Sequence, residues 1–252
     1  MKIDLNCDMG EHFGVYRIDV NEDEIMSKIS SINIACGFHA GDPHIMHQTL
    51  DKAIKYNLNI GAHPGLPDLL GFGRRKMAIT EKEAYDFTLY QIGALFGFVM
   101  AKKTKLSHVK PHGALYNMAA VDSKIATGIA NAVYDFDPNL TLFALSGSEL
   151  AKAGNALGLK VANEVFADRT YQEDGTLTPR SQKNCFVESD EKAVSQVLSM
   201  IQQSKVMTVT GKEIEIKADT VCIHGDGAHA LEFVQALNQS LLQSSIEIAA
   251  IS

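Results

Sequence analysis

The hydrophobic and polar positions of the chain follow two alternating patterns. Seven short apolar runs are typical of strands and cover residues 3–7, 31–36, 59–63, 108–111, 140–145, 160–165 and 220–224. Longer amphipathic stretches between them predict helices at residues 43–56, 81–102, 123–134, 147–156, 191–203 and 228–243. Asp42 with Pro43, and Thr80 with Glu83, have the spacing of helix-start signals.

This strand–helix alternation predicts an α/β fold with a parallel sheet and right-handed crossovers. Seven units favour a closed, TIM-like β/α barrel with seven parallel strands, and an open doubly wound sheet is the alternative. The length of 252 residues is close to the roughly 250 residues typical of such barrels. We therefore expect one barrel domain over residues 1–252.

Two connections are too long to be simple turns. They run over residues 64–79 and 166–189, and long loops in compact domains are usually functional. Residues 207–217 are interpreted as a hairpin that turns at Gly211 and precedes the last strand.

Composition and charge restrict the function classes. A formal net charge of -7 argues against nucleic acid or an anionic membrane as partner, since both attract a basic surface. The four cysteines form no C-x-x-C pair, and we expect them to be buried and reduced. The first residues do not resemble a secretory signal, and no apolar stretch reaches about 20 residues. The location we expect is the cytoplasm.

Ionisable residues, mostly beside glycine, follow six of the seven predicted strands. In a parallel barrel all these strand ends lie on one face, where active sites form. One histidine at a strand end is often only a hydrogen-bond partner, but four at four ends favour a shared site. The predicted catalytic set is Asp8, His39, His63, Lys110, His112, Glu164, Asp168 and His224.

Metal binding is one use of this set. Asp8, His39 and His63 form a candidate divalent-metal site of one carboxylate and two imidazoles. No H-E-x-x-H or other fixed-spacing signature accompanies them. Without a metal, the same side chains can act as general bases and hydrogen-bond donors.

Arginines in the two long loops are candidates for anion binding. Arg74 and Arg75 follow a Gly-Phe-Gly segment, and Arg169 lies in the second loop, where Arg180 could complete a clamp. The alternative is a surface loop whose arginines pair with acidic residues. Lys110 is expected either to stabilise an oxyanion or to pair with an acidic neighbour such as Glu164.

Several motifs are absent from the sequence. No P-loop, no G-x-G-x-x-G after a strand and no G-x-S-x-G nucleophile elbow occurs. The chain itself therefore shows no site that we would assign to ATP or a dinucleotide.

Six sequence blocks, taken in order, resemble one known family. DLNCDMGE, NIACGFHAGDP, GAHPGLPDLLGFGRR, VKPHGALYN, EVFADRTY and CIHGD closely resemble the LamB/YcsF family, the A subunits of bacterial 5-oxoprolinase. The resemblance implies a seven-stranded barrel akin to the glycoside hydrolase/deacetylase superfamily. It also implies ATP-dependent opening of 5-oxo-L-proline to L-glutamate, with ATP as co-substrate and subunits B and C as partners.

The resemblance suggests roles for the candidate residues. Arg74 or Arg75 would hold the substrate carboxylate, and Lys110 would stabilise a developing oxyanion. The strand-end acids and histidines would activate water, shuttle protons or orient one another. Two other classes remain open: a stand-alone metal-dependent deacetylase or carbohydrate hydrolase, and a non-catalytic protein that binds a lactam or a sugar.

Overall fold

The computed structural model describes residues 1–16, 21–223 and 230–251. In this part of the chain, seven parallel strands close into a barrel in the order β1-β2-β3-β4-β5-β6-β9, with β9 paired back to β1. The predicted barrel is confirmed, and the open sheet is excluded by that closing pair. The strands are β1 Lys2–Met9, β2 Ser31–Ala35, β3 Asn59–His63, β4 Leu106–Val109, β5 Thr141–Leu145, β6 Lys160–Phe166, β7 Lys205–Met207, β8 Glu213–Glu215, β9 Thr220–Ile223 and β10 Glu247–Ile248.

The helices surround the barrel as the crossovers between its strands. They are α1 Glu22–Met26, α2 Pro43–Lys55, α3 Glu81–Ala101, α4 Gly113–Val121, α5 Ser123–Phe136, α6 Glu149–Leu157, α7 Asp190–Gln202 and α8 Ala230–Gln243. Both expected helix starts are present: the Asp42 side chain accepts from two backbone amides of α2, and Thr80 and Glu83 form a capping box.

Among the described residues, α1, α4 and β10 were not predicted, nor was the short 3-10 helix Leu69–Gly71 in the first long loop. Helix α4 has the sequence GALYNMAAV, in which most positions are apolar and buried. A helix that lacks a polar face has no strong 3.6-residue periodicity, so its pattern is weak. Strand β10 has only two residues and pairs with the start of β1.

The two faces of the barrel strands differ in polarity. Along β1, Ile3 and Leu5 belong to the apolar core, while Asp4 and Asn6 alternate with them. The Asn6 side-chain amide donates to Glu164 at 3.0 Å and to Thr220 at 2.8 Å. Because successive side chains of a strand point to opposite faces, this alternation puts a hydrogen-bonded polar network inside the barrel and apolar side chains under the helices.

His108 on β4 is buried inside the barrel. Its Nε2 lies 2.8 Å from Asn33 Oδ1, and its ring stacks on Phe143 with centroids 4.1 Å apart. Gly61 on β3 makes this possible, because a Cβ there would lie 2.0 Å from His108 Nε2. Burial lowers the pKa of His108 to about 3, so the ring is neutral and supports the site above it.

The second long loop is tied down by Tyr171, which is fully buried. Its hydroxyl accepts from the backbone amide of Phe166 at 2.8 Å, and its backbone bridges to Thr208 beside the hairpin. The hairpin itself is confirmed: β7 and β8 pair antiparallel, and Gly211 has a φ of 82° near the turn.

The cysteines agree with expectation, since all four are free thiols in buried positions. In the segments that the structure describes, we find no helix with both the length and the apolar character needed to cross a membrane.

Candidate active site

A cluster of three histidines and one glutamate lies at the carboxyl ends of the first four barrel strands. His63 is the last residue of β3, and His112 follows β4 as the N-cap of α4. Glu11 and His39 lie in the segments after β1 and β2. One ligand-type atom from each of the four side chains lies within 4.8 Å of all the others, so the group could hold a metal ion.

The rings of the cluster are packed tightly. His39 and His112 stack with centroids 3.7 Å apart and planes 3° from parallel. His63 stands edge-on to both, with centroid distances of 5.3 Å and 4.9 Å. Glu11 Oε1 lies 3.1 Å from His39 Nε2 and 3.4 Å from His112 Nδ1. One carboxylate oxygen therefore faces two imidazoles at hydrogen-bond range.

Backbone carbonyls hold two of the rings in place. His63 Nδ1 lies 2.7 Å from the Lys110 carbonyl oxygen, and His112 Nε2 lies 2.8 Å from the Phe72 carbonyl oxygen. The first long loop thus reaches over the strand ends and contacts the cluster directly. Gly73 in this loop has a φ of 62°, and a Cβ there would lie 2.6 Å from His39, so the close approach requires glycine.

Burial decides the charge of two of these histidines. It is the main cause that lowers the pKa of both His39 and His112 well below the usual value. Both rings are therefore neutral at neutral pH. A neutral imidazole has one nitrogen lone pair that can accept a proton or bind a metal.

Lys110 occupies the centre of the polar interior. Its Nζ lies 2.9 Å from both Asp8 Oδ1 and Glu164 Oε1, 3.1 Å from Asn6 Oδ1 and 3.0 Å from Cys222 Sγ. Burial alone would lower the pKa of Lys110, but Asp8 and the other acidic neighbours raise it well above its usual value. An ammonium group has only three N–H donors, so pairing with Glu164, one of the two expected alternatives, is what the structure contains.

Asp8 lies beside the metal-type cluster rather than within it. Its Oδ1 accepts from Asn33 at 2.8 Å and from Lys110 at 2.9 Å, and its Oδ2 lies 3.3 Å from His63 Nε2. Burial would raise the pKa of Asp8, but His63 and Lys110 outweigh it and hold the pKa well below the usual value. The structure thus groups Glu11 and His112 with the predicted His39 and His63, and the predicted Asp8 lies beside this group as an ionised carboxylate.

A cavity of about 570 Å³ opens from this cluster to the surface. Buried side chains line its base, and exposed cations line its mouth. Tyr116 is among the buried ones, and burial followed by the charge of Glu164 raises the pKa of its phenol well above the usual value. The lining residues with acidic, basic or phenol side chains are Asp8, Glu11, His63, Lys110, His112, Tyr116, Arg74, Lys76, Arg169, Asp174 and Arg180.

The predicted arginines have different surroundings. Arg74 lines the cavity and lies over the Phe72 ring at 4.8 Å. Arg75 instead pairs with Asp68 in its own loop, with Nε 3.0 Å from a carboxylate oxygen. Arg169 lines the cavity but is buried, and it donates to the carbonyl oxygens of residues 185 and 178. Arg75 thus matches the alternative of a loop ion pair, and Arg169 ties the second loop together.

The remaining predicted residues, Glu164, Asp168 and His224, differ in their relation to the site. Glu164 lies fully buried against Lys110. Asp168 is half-buried at the start of the second loop, where its carbonyl oxygen accepts from Val187. The described part of the cavity lining does not include Asp168. His224 lies outside the described residues.

Three residues of the site were not selected from the sequence. Glu11 follows the first strand near Asp8, but no spacing distinguished it from its neighbours. Tyr116 lies in the unpredicted α4, and Lys76 directly follows Arg75. For the polar interior a signal was available in the alternation of Asp4, Asn6 and Asp8 along β1.

The fold and the site together define a class: a parallel β/α-barrel enzyme with a histidine–carboxylate site at the carboxyl ends of its strands. The LamB/YcsF family model matches residues 3–252. The chain belongs to this family, as the sequence blocks indicated.

Two curated relatives and one solved structure are similar over nearly their full length. The chain is 59% identical over 251 residues to the 5-oxoprolinase A subunit of Bacillus subtilis, covering 100% of the chain and 97% of that protein. It is 57% identical over 249 residues to the 5-oxoprolinase A subunit of Tolumonas auensis, covering 99% of each. The crystal structure of a lactam utilization protein from Thermus thermophilus superposes with a TM-score of 0.92, at 42% identity and full coverage of both chains.

Proposed function

We propose that this chain is the A component of an ATP-dependent 5-oxoprolinase. With subunits B and C it would open 5-oxo-L-proline to L-glutamate while ATP is hydrolysed to ADP and phosphate. The observation that carries the proposal is a cavity with a cationic mouth above a buried histidine–carboxylate cluster. The full-length similarity to proteins named as the A component of 5-oxoprolinase supports the choice of substrate.

The cavity suits a small carboxylated lactam. Arg74, Lys76 and Arg180 supply cationic groups at its mouth, and guanidinium groups bind carboxylates through paired hydrogen bonds. The buried residues at the bottom of the cavity offer polar groups that would form hydrogen bonds with the lactam ring. A volume of about 570 Å³ lies within the range of small-molecule sites and leaves space for a group larger than the lactam alone.

The chemistry requires activation of an unstrained, resonance-stabilised amide. Phosphorylation of the lactam oxygen by ATP would make the ring carbon electrophilic enough for water to add to it. The C–N bond then breaks, and hydrolysis of the resulting acyl phosphate releases phosphate and glutamate. The sequence has neither a P-loop nor a G-x-G-x-x-G after a strand, so the proposal assigns the ATP step to subunits B and C. The need for ATP supports a cytoplasmic location for the proposed assembly.

In this proposal the chain binds the lactam and prepares water for attack on the activated ring carbon. Asp8 is ionised beside His63, and a carboxylate next to an imidazole can accept and pass on a proton. Tyr116 at the cavity wall is protonated and can donate a hydrogen bond to a developing oxyanion. Lys110 helps to keep Asp8 ionised and holds the Asp8 and Glu164 carboxylates in place.

A second candidate function is a stand-alone, metal-dependent deacetylase or carbohydrate hydrolase. The observation that favours it is the Glu–His cluster, whose donor set suits a divalent metal. This function predicts activity without ATP or partners. A protein that only binds a lactam or a sugar would need the cavity but not several convergent titratable groups.

The test is the formation of glutamate from 5-oxoproline and ATP. We would assay this chain alone, subunits B and C without it, and all three together. The proposal expects glutamate only from the complete mixture. Glutamate formation by B and C alone would refute it, and hydrolysis of acetylated sugars by this chain alone would favour the second candidate.

A further inference from the structure

The nitrogens of His63 and His112 that face each other create an unmet requirement for a positive charge. His63 Nε2 and His112 Nδ1 lie 3.0 Å apart inside the cluster. The other nitrogen of each ring contacts a backbone carbonyl oxygen, that of Lys110 for His63 and that of Phe72 for His112. A carbonyl oxygen only accepts hydrogen bonds, so both outer nitrogens carry their hydrogens.

A neutral imidazole has one N–H hydrogen. With both hydrogens on the outer nitrogens, the two facing nitrogens are bare lone pairs at hydrogen-bond distance. These lone pairs lie 3.0 Å apart, and the Asp8 carboxylate lies 3.3 Å from His63 Nε2, so the arrangement is repulsive unless a cation lies between or beside the two nitrogens. Either an additional proton or a metal ion meets that requirement.

The outer contacts match those of metal-binding histidines. Such residues almost always donate the second ring N–H to a carbonyl or carboxylate, which fixes the tautomer and the ring orientation. His63 and His112 both have this arrangement, with N···O distances of 2.7 Å and 2.8 Å. The anchors come from the end of β4 and from the first long loop, so the orientation is built by the fold.

Glu11 completes a set of three ligands. Its Oε1 lies 3.4 Å from His112 Nδ1 and 4.0 Å from His63 Nε2. Ligands at about 2.0–2.1 Å from a tetrahedral ion are separated by about 3.3 Å, and the three distances bracket this value. All three side chains line the cavity, which leaves the fourth position open to a ligand from that side.

His39 differs from the other two histidines. Its Nε2 lies 3.1 Å from Glu11 Oε1, and among the described residues its buried Nδ1 has no hydrogen-bond partner. Metal bonding through Nε2 would put a hydrogen on Nδ1, and a buried N–H without an acceptor costs about 1–3 kcal/mol. Donation from Nε2 to Glu11 leaves a bare nitrogen on Nδ1 instead. His39 therefore fits as a residue that orients Glu11.

We propose that Glu11, His63 and His112 bind one divalent transition-metal ion, with an open coordination position facing the cavity and with His39 and Asp8 outside the ligand set. Two imidazoles and one carboxylate suit zinc or a neighbouring first-row metal. The site deepens the proposed function, because an ion there could polarise water or a carbonyl oxygen in the cavity.

Zinc binding to the isolated chain tests this proposal without substrate, ATP or partner proteins. The chain would carry no polyhistidine tag, would be stripped with EDTA, and would be titrated with zinc against a chromophoric chelator. We expect one zinc per chain, and at least a 100-fold weaker affinity in Glu11→Gln, His63→Ala and His112→Ala. His39→Ala is expected to retain one zinc per chain with an affinity about 10- to 100-fold lower. The exposed His44 on α2 provides the matched control, and His44→Ala should bind as the wild type does.

A spectroscopic measurement on the wild-type chain guards against variants that fail to fold. With Co²⁺ in place of zinc, a site of three protein ligands and an open position gives intense visible absorption, whereas a loosely bound octahedral ion gives weak absorption. No zinc bound by the wild type, weak octahedral absorption, or unchanged affinity in folded His63→Ala and His112→Ala would overturn the proposal. So would a strongly deshielded proton shared by the two imidazoles that persists when zinc is added.

The two proposals fail separately. A chain that binds zinc as expected but forms no glutamate with its partners would refute the proposed function and leave the metal site intact. A complete assembly that forms glutamate while the chain binds no metal would refute the metal site and leave the proposed function intact.

Discussion

Lys110 and Asp8 form a buried ion pair in which Nζ lies 2.9 Å from Oδ1. The Glu164 carboxylate lies at 2.9 Å from the same nitrogen, and Lys110 has a side-chain exposure of only 2%. One ammonium group therefore compensates two carboxylates that have little or no access to bulk water. Removing one partner from a buried ion pair costs far more than the pair itself contributes to stability.

Lys110→Met should lower the free energy of unfolding by about 3–5 kcal/mol, because it leaves two buried carboxylates without their counter-charge. Urea unfolding at neutral pH measures this difference. Lys82 is the control, since it pairs with Asp86 on the exposed surface of α3, and Lys82→Met should leave the unfolding midpoint within error. An unchanged midpoint for Lys110→Met would show that the pair is not the internal support we describe.

Two glycine substitutions should change stability in opposite directions. Gly61→Ala would place a Cβ 2.0 Å from the His108 ring, and overpacking of this kind costs about 1–3 kcal/mol. Gly97 lies in α3 with nothing within 4 Å of its added Cβ, so Gly97→Ala should stabilise the protein by about 0.5–1 kcal/mol. The thermal unfolding temperatures of both variants measure these effects. A Gly61→Ala protein as stable as the wild type would contradict the packing of His108 against Gly61.

Much of the site could be predicted because strand ends are visible in the sequence. In a parallel barrel every strand end belongs to one face, so the ionisable residues after each apolar run had to approach one another. His39, His63 and His112 meet for this reason, and Lys110 and Glu164 meet below them.

The rest depended on contacts that no pattern encodes. Arg74 and Arg75 are adjacent in the sequence, and only the path of the loop puts one into the cavity and the other onto Asp68. Glu11 and Asp8 lie close together in the sequence, but Asp8 is held by Lys110 while Glu11 faces the histidines. The position of each of these side chains is set by its tertiary contacts, which the local sequence pattern does not show.

The difference between the two loop arginines gives a kinetic prediction. Arg74→Ala in the complete assembly should raise the KM for 5-oxoproline about 10- to 100-fold, the effect of losing one charge-assisted hydrogen bond. Arg75→Ala should leave that KM within about twofold, because Arg75 pairs with Asp68 in its own loop. Steady-state glutamate formation over a range of 5-oxoproline concentrations measures both. Equal effects in the two variants would remove Arg74 from substrate binding.

Asp42 links stability to pH at the start of α2. The backbone amide of Ile45 has the largest effect and lowers the pKa of Asp42 below its usual 3.8. Burial acts against it, and the amides of Gly14 and His44 lower the pKa further. A lowered folded-state pKa means that the carboxylate stabilises the fold above about pH 4 and loses this effect as the pH falls through the lowered value.

Asp42→Ala should therefore cost about 1 kcal/mol at pH 7, as expected for a lost N-cap, and the cost should shrink below about pH 4. Asp42→Asn is the matched control, because asparagine caps a helix but does not titrate. Urea unfolding of the three proteins at about pH 7 and about pH 3 makes the comparison. A cost for Asp42→Ala that is the same at both pH values would contradict the assigned capping role.

Turnover of the complete assembly tests most directly whether the histidine cluster takes part in opening the lactam. Glutamate formation from 5-oxoproline and ATP would be measured with His63→Ala and His112→Ala, beside the exposed control His44→Ala. Positioned acid–base groups contribute about 10²- to 10⁴-fold, so we expect each cluster variant to fall at least 100-fold in kcat while the control turns over normally. Wild-type turnover in both cluster variants would contradict the claim.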